Sequence, residues 1–360
     1  MTKPLLIAEI SSNHNMQLSR ALDLIAAVAD AGATHAKFQA WQADLYYSRH
    51  HPALHARARA GQIPEAWWHT LAMHCQRKDV GFLCTAFDTA SLDIIAPYAD
   101  NYKVASGDLT NVPLLRIVAA KHKPVILSTG AATVPEIEEA VSVLSLGGAA
   151  SVTLLHCVSA YPTPVDQANL SAITSLAQHF DALDVGYSDH TANLWCCLAA
   201  YSLGARTIEA HFDLDDGKGA ETGHSLKQRD FTALVDAIQA STFLPVSGCV
   251  PYLTEGHWQW LWPDVWHEVF HSVIPALGSG VKYPMPCEVA ERDWARRGLY
   301  AARAVKRGEP LADALVPLRP ACGVEGMARP LAAREWDRAT AGKAAQDLEA
   351  GVPVSEGDIA

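Results

Sequence analysis

The stretch YKVASGDLTNVPLLRIVAAKHKPVILS, residues 102–128, contains two short apolar runs on either side of one helix-length segment. The runs are Tyr102–Ala105 and Val125–Leu127, and the amphipathic segment between them is Val112–Ala120. Short apolar runs that alternate with segments of this length predict parallel strands joined by helices. The stretch therefore predicts one strand–helix–strand unit.

The same alternation extends through residues 5–240. The apolar runs predict eight strands, at Leu5–Ile10, His35–Phe38, Gly81–Cys84, Tyr102–Ala105, Val125–Leu127, Val152–His156, Leu183–Gly186 and Thr207–Glu209. The longer segments predict helices at Ser19–Ala31, Glu65–Lys78, Ser91–Ala96, Val112–Ala120, Val134–Leu146, Asn169–His179, Asn193–Leu203 and Phe231–Ala240. Such an alternation fits either a doubly wound sheet or a closed (β/α)₈ barrel.

Polar residues stand at or just past the carboxyl ends of the predicted strands, namely Glu9, Lys37, Thr85, Ser106, Ser128, Ser159, His190 and His211. In a barrel these ends converge on one face that carries the active site, whereas a doubly wound sheet concentrates function at one switch point. We therefore predict an α/β fold built on a (β/α)₈ TIM barrel.

The alternation stops near residue 243, which predicts three parts. They are a TIM barrel with the catalytic site at residues 1–245, a tryptophan-rich linker or insertion at residues 246–294, and a small β-rich domain at residues 295–360. The linker or insertion contains Trp258, Trp260, Trp262 and Trp266. These tryptophans are more typical of a core or an interface than of a stacking platform for a sugar.

The composition limits the possible partners. Lys plus Arg is 28 and Asp plus Glu is 39, and the formal net charge of −11 argues against nucleic acid but permits a small anionic substrate. No apolar run reaches the roughly 18 residues of a membrane span, and the N-terminus lacks the pattern of a signal peptide. The eight cysteines are scattered without a CxxC pair, so we expect free thiols and a cytoplasmic protein.

Two segments predict a metal site. GYSDHTAN places Asp189 and His190 just after the seventh predicted strand, and TIEAHFDLDD places Glu209 and His211 at the end of the eighth. Because adjacent strands lie about 5 Å apart, the two imidazoles can bind one divalent cation. These ligands suit Mn²⁺, Mg²⁺, Fe²⁺ or Zn²⁺ and do not fix the metal.

A second group of residues predicts an anion site. Its members are basic or hydroxyl residues at neighbouring strand ends: Lys37, Lys103, Ser106, Ser128, Thr129 and Ser188. Lysines and hydroxyls in this arrangement can hold a phosphate through charge-assisted hydrogen bonds. No Walker or dinucleotide glycine motif accompanies them, so a nucleotide is not implied. Glu9 stands at the end of the first strand and is a candidate general acid or base beside this site.

Several motifs together resemble the sialic acid synthases, also called N-acetylneuraminate or nonulosonic acid synthases. The similar stretches are IAEISSNHN, AGATHAKFQ, GFLCTAFD, YKVASGDLTN, KPVILSTGAA, LLHCVSAYPTP, VGYSDHT and IEAHFDLD, followed by RRGLYAARAVKRGE and LRPACG. The resemblance implies a TIM barrel followed by an antifreeze-like (SAF) domain, in a domain-swapped homodimer. It also implies a transferase that uses Mn²⁺ or Mg²⁺ to condense phosphoenolpyruvate with an open-chain N-acyl hexosamine such as N-acetylmannosamine, giving a nine-carbon 2-keto sugar acid and phosphate.

The resemblance assigns roles by position. His190 and His211 correspond to metal ligands, and Glu9 corresponds to the catalytic carboxylate. The residues that correspond to the phosphoenolpyruvate phosphate shell are Lys37, Thr85, Lys103, Ser106, Ser128 and Ser188. The residues that correspond to contacts of the sugar or the metal are Gln39, Asp108 and Tyr161, together with Arg319, which reaches the N-acyl group across the dimer.

The chain departs from the family pattern on the acceptor side. Ser11 and Ser12 replace Gly and Ile, Ser159-Ala160 stands where Asn is often found, and Glu221 stands for the usual Asp in Gly219-Ala220-Glu221. We count Ser159 and Glu221 among the substrate contacts. These departures leave open another aldehyde, such as a pseudaminic or legionaminic precursor or a non-sugar acceptor. A carbohydrate-binding protein without turnover and a metal-dependent hydrolase are the remaining alternatives.

Overall fold

A computed structural model of the chain describes residues 4–240 and 266–360. Its core is a closed sheet of parallel strands, each paired with the next along the chain and the first paired with the eighth. These strands are β1 Leu5–Glu9, β2 His35–Ala40, β3 Gly81–Ala86, β4 Tyr102–Val104, β5 Pro124–Ser128, β6 Ser151–Cys157, β7 Asp184–Asp189 and β8 Thr207–Asp213. The (β/α)₈ barrel predicted from the sequence is therefore confirmed.

Helices surround this barrel and connect its strands. They are α1 Leu18–Asp30, α2 Ala43–Tyr46, α3 Pro52–Gly61, α4 Glu65–Arg77, α5 Thr89–Ile95, α6 Val112–Ala119, α7 Val134–Leu146, α8 Ala172–His179, α9 Leu194–Ser202 and α10 Gln228–Ala240. The sequence did not predict α2 and α3, whose residues show only weak helical periodicity. It also missed the two-residue strand β9 Leu226–Lys227, which pairs with β8.

Six strands, β2, β3, β5, β6, β7 and β8, run further at their carboxyl ends than the sequence predicted. β2 continues beyond Phe38 to Ala40, and β8 continues beyond Glu209 to Asp213. The predicted strands ended early because the next residues are polar, as in Gln39 and His211. Polar side chains at the inner face of a barrel point toward its mouth, so polarity does not end these strands.

The barrel has apolar packing on both sides of its wall. The larger cluster lies between the strands and the helices, and a small separate cluster consists of Ile7, Leu83, Ile126 and Leu155. Residues two apart on a strand share a face, so Ile7 lies on the same face as Glu9. The polar groups at the barrel mouth therefore lie above a layer of buried apolar side chains.

The rest of the described chain forms a connecting segment and a small module. The elements are α11 Trp266–Leu277, α12 Val289–Ala295, the antiparallel pair β10 Gly298–Ala301 and β11 Leu315–Leu318, and α13 Trp336–Ala341. The module has its own buried apolar cluster, which includes Leu299, Leu311 and Val354. The boundary predicted between residues 245 and 246, and the tryptophans predicted to serve a core or an interface up to residue 262, lie outside the described residues.

The described cysteines are free thiols, and most of them are buried. Within residues 4–240 and 266–360, no helix combines the length and the apolar character that crossing a membrane requires.

The small module packs on the barrel mouth of its own chain through a buried ion pair. Arg297, 1% exposed, donates from Nε to Asp108 Oδ1 at 2.8 Å and from Nη2 to the Phe87 carbonyl at 2.7 Å. Arg319 approaches the other Asp108 oxygen at 3.3 Å and lies over the ring of Tyr46. One carboxylate of the barrel thus anchors two arginines of the module. Exchange of the module between two subunits stays a prediction.

Replacing Arg297 should therefore loosen the module. Arg297→Ala removes the nearer of the two arginines that pair with Asp108 and takes a buried donor from three backbone carbonyls, so we expect unfolding to become easier by about 3–5 kcal/mol. Urea unfolding measures this change. The matched control is Arg303→Ala, which removes an exposed pair with Asp313 and should cost less than about 1 kcal/mol. Equal effects of the two substitutions would contradict the anchoring role of Arg297.

Candidate active site

The register of the closed barrel brings Glu9 between two functional residues. Glu9 is paired with Lys37 across β1 and β2, and with His211 across β1 and β8. Both neighbours are buried, and Glu9 itself is completely buried. The first and last strands of the barrel domain therefore contribute to one cluster although their sequences lie about 200 residues apart.

Two lysines and two carboxylates form the charged centre of this cluster. Lys37 forms an ion pair with Glu9, and its Nζ lies 3.4 Å from Glu209 Oε1. Lys103 Nζ lies 3.7 Å from the same Glu209 oxygen. The sequence placed Glu209 beside the metal ligands, but it did not reveal that this carboxylate lies between the two lysines.

Burial and the neighbouring carboxylates shift the pKa values of these lysines in opposite directions. Burial lowers the pKa of Lys37, but the charges of Glu209 and Glu9 outweigh it and raise the pKa above its ordinary value. The pKa of Lys103 is lowered, because burial outweighs the attraction of Glu209. Burial raises the pKa of Glu209, but Lys103 and Lys37 outweigh it, so the net shift is downward.

Hydroxyl groups surround the lysines. Lys103 donates to Ser128 Oγ at 2.6 Å, Lys37 lies 3.5 Å from Thr85 Oγ1, and Ser188 donates to Glu209 Oε1 at 3.1 Å. Ser106 is buried nearby, where its hydroxyl accepts a hydrogen bond from the Gly130 amide at 2.9 Å. All six residues that resemblance assigned to a phosphate shell therefore lie in one region of the barrel mouth.

The two predicted metal ligands are neighbours with defined orientations. The rings of His190 and His211 lie 5.3 Å apart. His190 Nδ1 donates to the Val158 carbonyl at 2.7 Å, and His211 Nδ1 lies 3.0 Å from Glu221 Oε2. An outer hydrogen bond at Nδ1 leaves Nε2 as the nitrogen that can bind a cation, which is the usual arrangement at metal centres. The donor set therefore fits a divalent cation.

The environment of His190 favours the neutral imidazole. Burial, together with nearby His211, lowers the pKa of His190 to about 3. The neutral ring is the form that binds a metal. At His211, burial also lowers the pKa, but the hydrogen bond that the ring donates to Glu221 and the charge of that carboxylate outweigh it, so the pKa is raised.

A different combination of residues could also hold a cation. The ligand atoms of His211, Glu221 and His224 lie within 4.8 Å of one another. The sequence analysis did not select His224, since it lies in a loop rather than at a strand end. Tyr161 stands beside these rings, 4.2 Å from His190 and 5.3 Å from His224 between ring centres.

Hydrogen bonds connect Glu9 to the histidines. Gln39 donates from Nε2 to both Glu9 Oε1 and Ser11 Oγ, each at 2.9 Å. The Ser11 hydroxyl in turn donates to Glu221 Oε1 at 2.9 Å, and Glu221 contacts His211. Ser11 and Glu221 are two of the positions where the chain departs from the family pattern, and they contact each other.

The other predicted contact residues lie around this centre. Asp108 and Arg319 pair with each other beneath the small module, and Arg319 donates to the Tyr46 hydroxyl at 2.7 Å. Ser159 is buried close to Gly130, where an added Cβ would overlap its hydroxyl. Lys282 was not predicted, because it lies in the connecting segment; it donates to the Cys157 carbonyl at 3.2 Å at the end of β6.

Comparison with known proteins identifies relatives along the whole chain. A sequence model described as the NeuB family matches residues 24–244. The N,N'-diacetyllegionaminic acid synthase of Campylobacter jejuni is 33% identical over 345 residues, which cover 91% of this chain and 93% of that protein.

Solved structures of similar proteins also match this chain. The crystal structure of spore coat polysaccharide biosynthesis protein SpsE from Bacillus subtilis superposes with a TM-score of 0.81 at 29% identity, and the match covers 100% of this chain and 96% of that chain. The structure of the N-acetylneuraminic acid (sialic acid) synthetase from Leptospira borgpetersenii has a TM-score of 0.63 at 30% identity, with 68% and 89% covered.

The two possible ligand sets predict different effects of substitution on metal binding. If His190 and His211 bind the cation, His190→Ala should weaken Mn²⁺ binding by about 100-fold or more, whereas His224→Ala should change it less than about tenfold. Titration calorimetry with Mn²⁺ on the folded full-length variants measures both affinities. A large loss with His224→Ala and an unchanged affinity with His190→Ala would instead support the set of His211, Glu221 and His224.

Proposed function

This chain belongs to the NeuB family, and on that premise we propose that it is a synthase that condenses phosphoenolpyruvate with an open-chain N-acyl hexosamine. The products would be a nine-carbon 2-keto sugar acid and phosphate. The observation that carries the proposal is the buried pair Lys37 and Lys103, which stands beside Glu9 and two histidines at the barrel mouth.

The lysines and hydroxyls account for recognition of the phosphate. A phosphate dianion needs cations and hydrogen-bond donors, and in a water-excluded pocket both act strongly. Lys37 on β2, Lys103 on β4, Ser106 in the loop after β4 and Ser128 on β5 provide them. The same groups would stabilise the phosphate as it leaves.

The reaction forms one carbon–carbon bond and breaks one carbon–oxygen bond. C3 of phosphoenolpyruvate attacks the aldehyde carbon, and the aldehyde oxygen takes a proton to become a hydroxyl. Water adds to the cationic C2, and Glu9 is placed to accept the proton that this water loses. The C2–O bond to phosphate then breaks, the C2 hydroxyl loses its proton, and the product is the 2-keto acid. A Mn²⁺ or Mg²⁺ ion bound by His190 and His211 would polarise the aldehyde oxygen.

Gln39 would keep Glu9 in position for this proton transfer. Its amide donates to Glu9 Oε1, while Lys37 pairs with the other carboxylate oxygen. Both contacts fix the orientation of the carboxylate. Within the described part of the chain, Glu209 Oε2 is a buried acceptor without a hydrogen-bond partner, so it can receive a hydrogen bond from a bound substrate.

The acceptor belongs to the class of N-acylated sugars in this proposal. Support comes from relatives named as legionaminic acid and N-acetylneuraminic acid synthases. The contact between Ser11 and Glu221 alters the side where the sugar would lie, so an acceptor other than N-acetylmannosamine is the main alternative. A legionaminic precursor is the first candidate, because that relative is 33% identical to this chain.

We further propose the assembly and location that the resemblance implies. Residues 295–360 would be an antifreeze-like (SAF) domain that follows a barrel at residues 1–245, and the protein would be a cytoplasmic homodimer with exchanged small domains. Arg319 would then reach the N-acyl group from the small domain. Its position beside Tyr46 and Asp108 at the mouth is compatible with that role.

A panel assay tests the proposed reaction. Purified protein with phosphoenolpyruvate and Mn²⁺ should release phosphate with one or more N-acyl hexosamines, and the fastest sugar identifies the acceptor class. Release with a non-sugar aldehyde alone would correct the acceptor. If phosphoenolpyruvate binds but no aldehyde gives release, the protein is a binding homologue without turnover.

Substitution of Glu9 tests the chemical step separately from binding. Glu9→Gln keeps the shape but removes the proton acceptor, so we expect kcat to fall by about 10²–10⁴-fold. The affinity for phosphoenolpyruvate, measured by calorimetry, should fall much less. The matched control is Glu138→Gln, a carboxylate on α7 that pairs with exposed His179. Unchanged turnover in Glu9→Gln would remove Glu9 from the reaction.

A further inference from the structure

The loop after β5 contains a residue in an uncommon backbone conformation. Ala131 has a φ of +49°, in the left-handed region where residues with a side chain are strained. It follows Gly130, whose amide donates to the Ser106 hydroxyl at 2.9 Å in the phosphate region. Strained residues of this kind persist only where their surroundings fix them, and they often occur at functional sites.

Three charged side chains from outside the barrel hold Ala131. Glu288 Oε1 accepts a hydrogen bond from the Ala131 amide at 2.6 Å. The Ala131 carbonyl accepts hydrogen bonds from Arg292 and, at 3.1 Å, from Arg296. Both backbone groups of the strained residue are therefore bound by residues that lie outside the barrel.

Glu288 also holds the loop after β6. The same Oε1 atom accepts a hydrogen bond from the Ser159 amide at 2.5 Å, while Oε2 accepts one from the Met285 amide at 2.7 Å. Glu288 is completely buried, so these backbone donors have no access to bulk water. A carboxylate bound by several backbone amides is rigidly placed, and an amide that loses such a partner is costly to leave buried.

We propose that Glu288 is a positioning residue for the phosphate site, which holds the loops of Ala131 and Ser159 so that Gly130, Ser106 and Ser159 form one wall of that site. The proposal rests on the proposed function, because it assigns the phosphate of phosphoenolpyruvate as the ligand. The Glu288 side chain reaches these loops through the backbone amides of Ala131 and Ser159. Its effect therefore passes through the loops.

The positioning role of Glu288 is tested by comparing phosphoenolpyruvate binding by the full-length protein and by its Glu288→Gln variant. The variant has similar shape but a weaker acceptor, and we expect calorimetry to give an affinity about tenfold lower or worse. In turnover, KM for phosphoenolpyruvate should rise while kcat changes little. Glu138→Gln is the control and should match the wild type in each measurement.

Hydrogen exchange supplies a readout that does not depend on the proposed reaction. In Glu288→Gln, the amides of Ala131 and Ser159 should exchange faster, whereas amides of β1 and β8 should remain as protected as in the wild type. Arg292→Met gives a second variant at a partly exposed position and should also weaken phosphoenolpyruvate binding. Its control is Arg329→Met, which removes an exposed pair with Asp293.

The outcomes separate the two proposals. If the wild type does not bind phosphoenolpyruvate, the proposed function fails, whatever Glu288 does to the loops. If the wild type binds it and both Glu288→Gln and Arg292→Met bind equally well, the positioning role is overturned. Ala131→Gly supplies a further check, because it relieves the strain and should reduce the loss caused by Glu288→Gln in the double variant.

Discussion

The closed register of the barrel places two buried lysines beside one buried carboxylate, and the rest of the site depends on that arrangement. Glu209 Oε1 lies 3.4 Å from Lys37 Nζ and 3.7 Å from Lys103 Nζ. A buried ammonium without a counter-charge would lose its proton or destabilise the fold. Glu209 and Glu9 prevent this for Lys37, so the mouth can keep positive charge in a water-poor pocket where an anionic substrate would bind strongly.

Residues from outside the barrel also contribute to the candidate site. Asp108, which resemblance assigned to the sugar or the metal, anchors Arg297 and Arg319 of the small module. The connecting segment contributes Lys282 and Glu288 to the loops after β5 and β6. Because these residues come from outside the barrel, the geometry of the mouth depends on how the module and its connection pack against it.

The departures from the family pattern form a local group rather than scattered changes. Ser11 replaces a residue without a side-chain hydroxyl, and its hydroxyl donates to Glu221, the longer carboxylate that stands for Asp. Glu221 also contacts the imidazole of His211. A change of acceptor can therefore be accompanied by a change in the hydrogen bond of His211, a proposed metal ligand, through one continuous set of contacts.

The sequence predicted the barrel because each strand and helix has its own apolar period, and periodicity is a local property. It also predicted that Lys37, Lys103, His190 and His211 would meet, because strand ends converge in a barrel. The sequence could not reveal that Glu209 lies near both Lys37 and Lys103. The distance between side chains on different strands depends on how the strands are aligned with one another, and the sequence alone does not give that alignment.

Residues in loops were harder to predict. His224 and Glu288 do not follow a strand, and nothing near them in the sequence indicates which loop they contact. The strained conformation of Ala131 was equally hidden, because alanine gives no indication of a positive φ. Such features depend on long-range packing and require the three-dimensional structure.

In the proposed reaction, this site forms a carbon–carbon bond with phosphoenolpyruvate and breaks its C2–O bond. The most direct measurement uses phosphoenolpyruvate with an isotopic label in the oxygen that bridges C2 and phosphorus, together with an N-acyl hexosamine and Mn²⁺. Mass spectrometry should find the label in the released phosphate and unlabelled oxygen at C2 of the sugar acid. Label retained in the organic product would show phosphorus–oxygen cleavage and contradict the account.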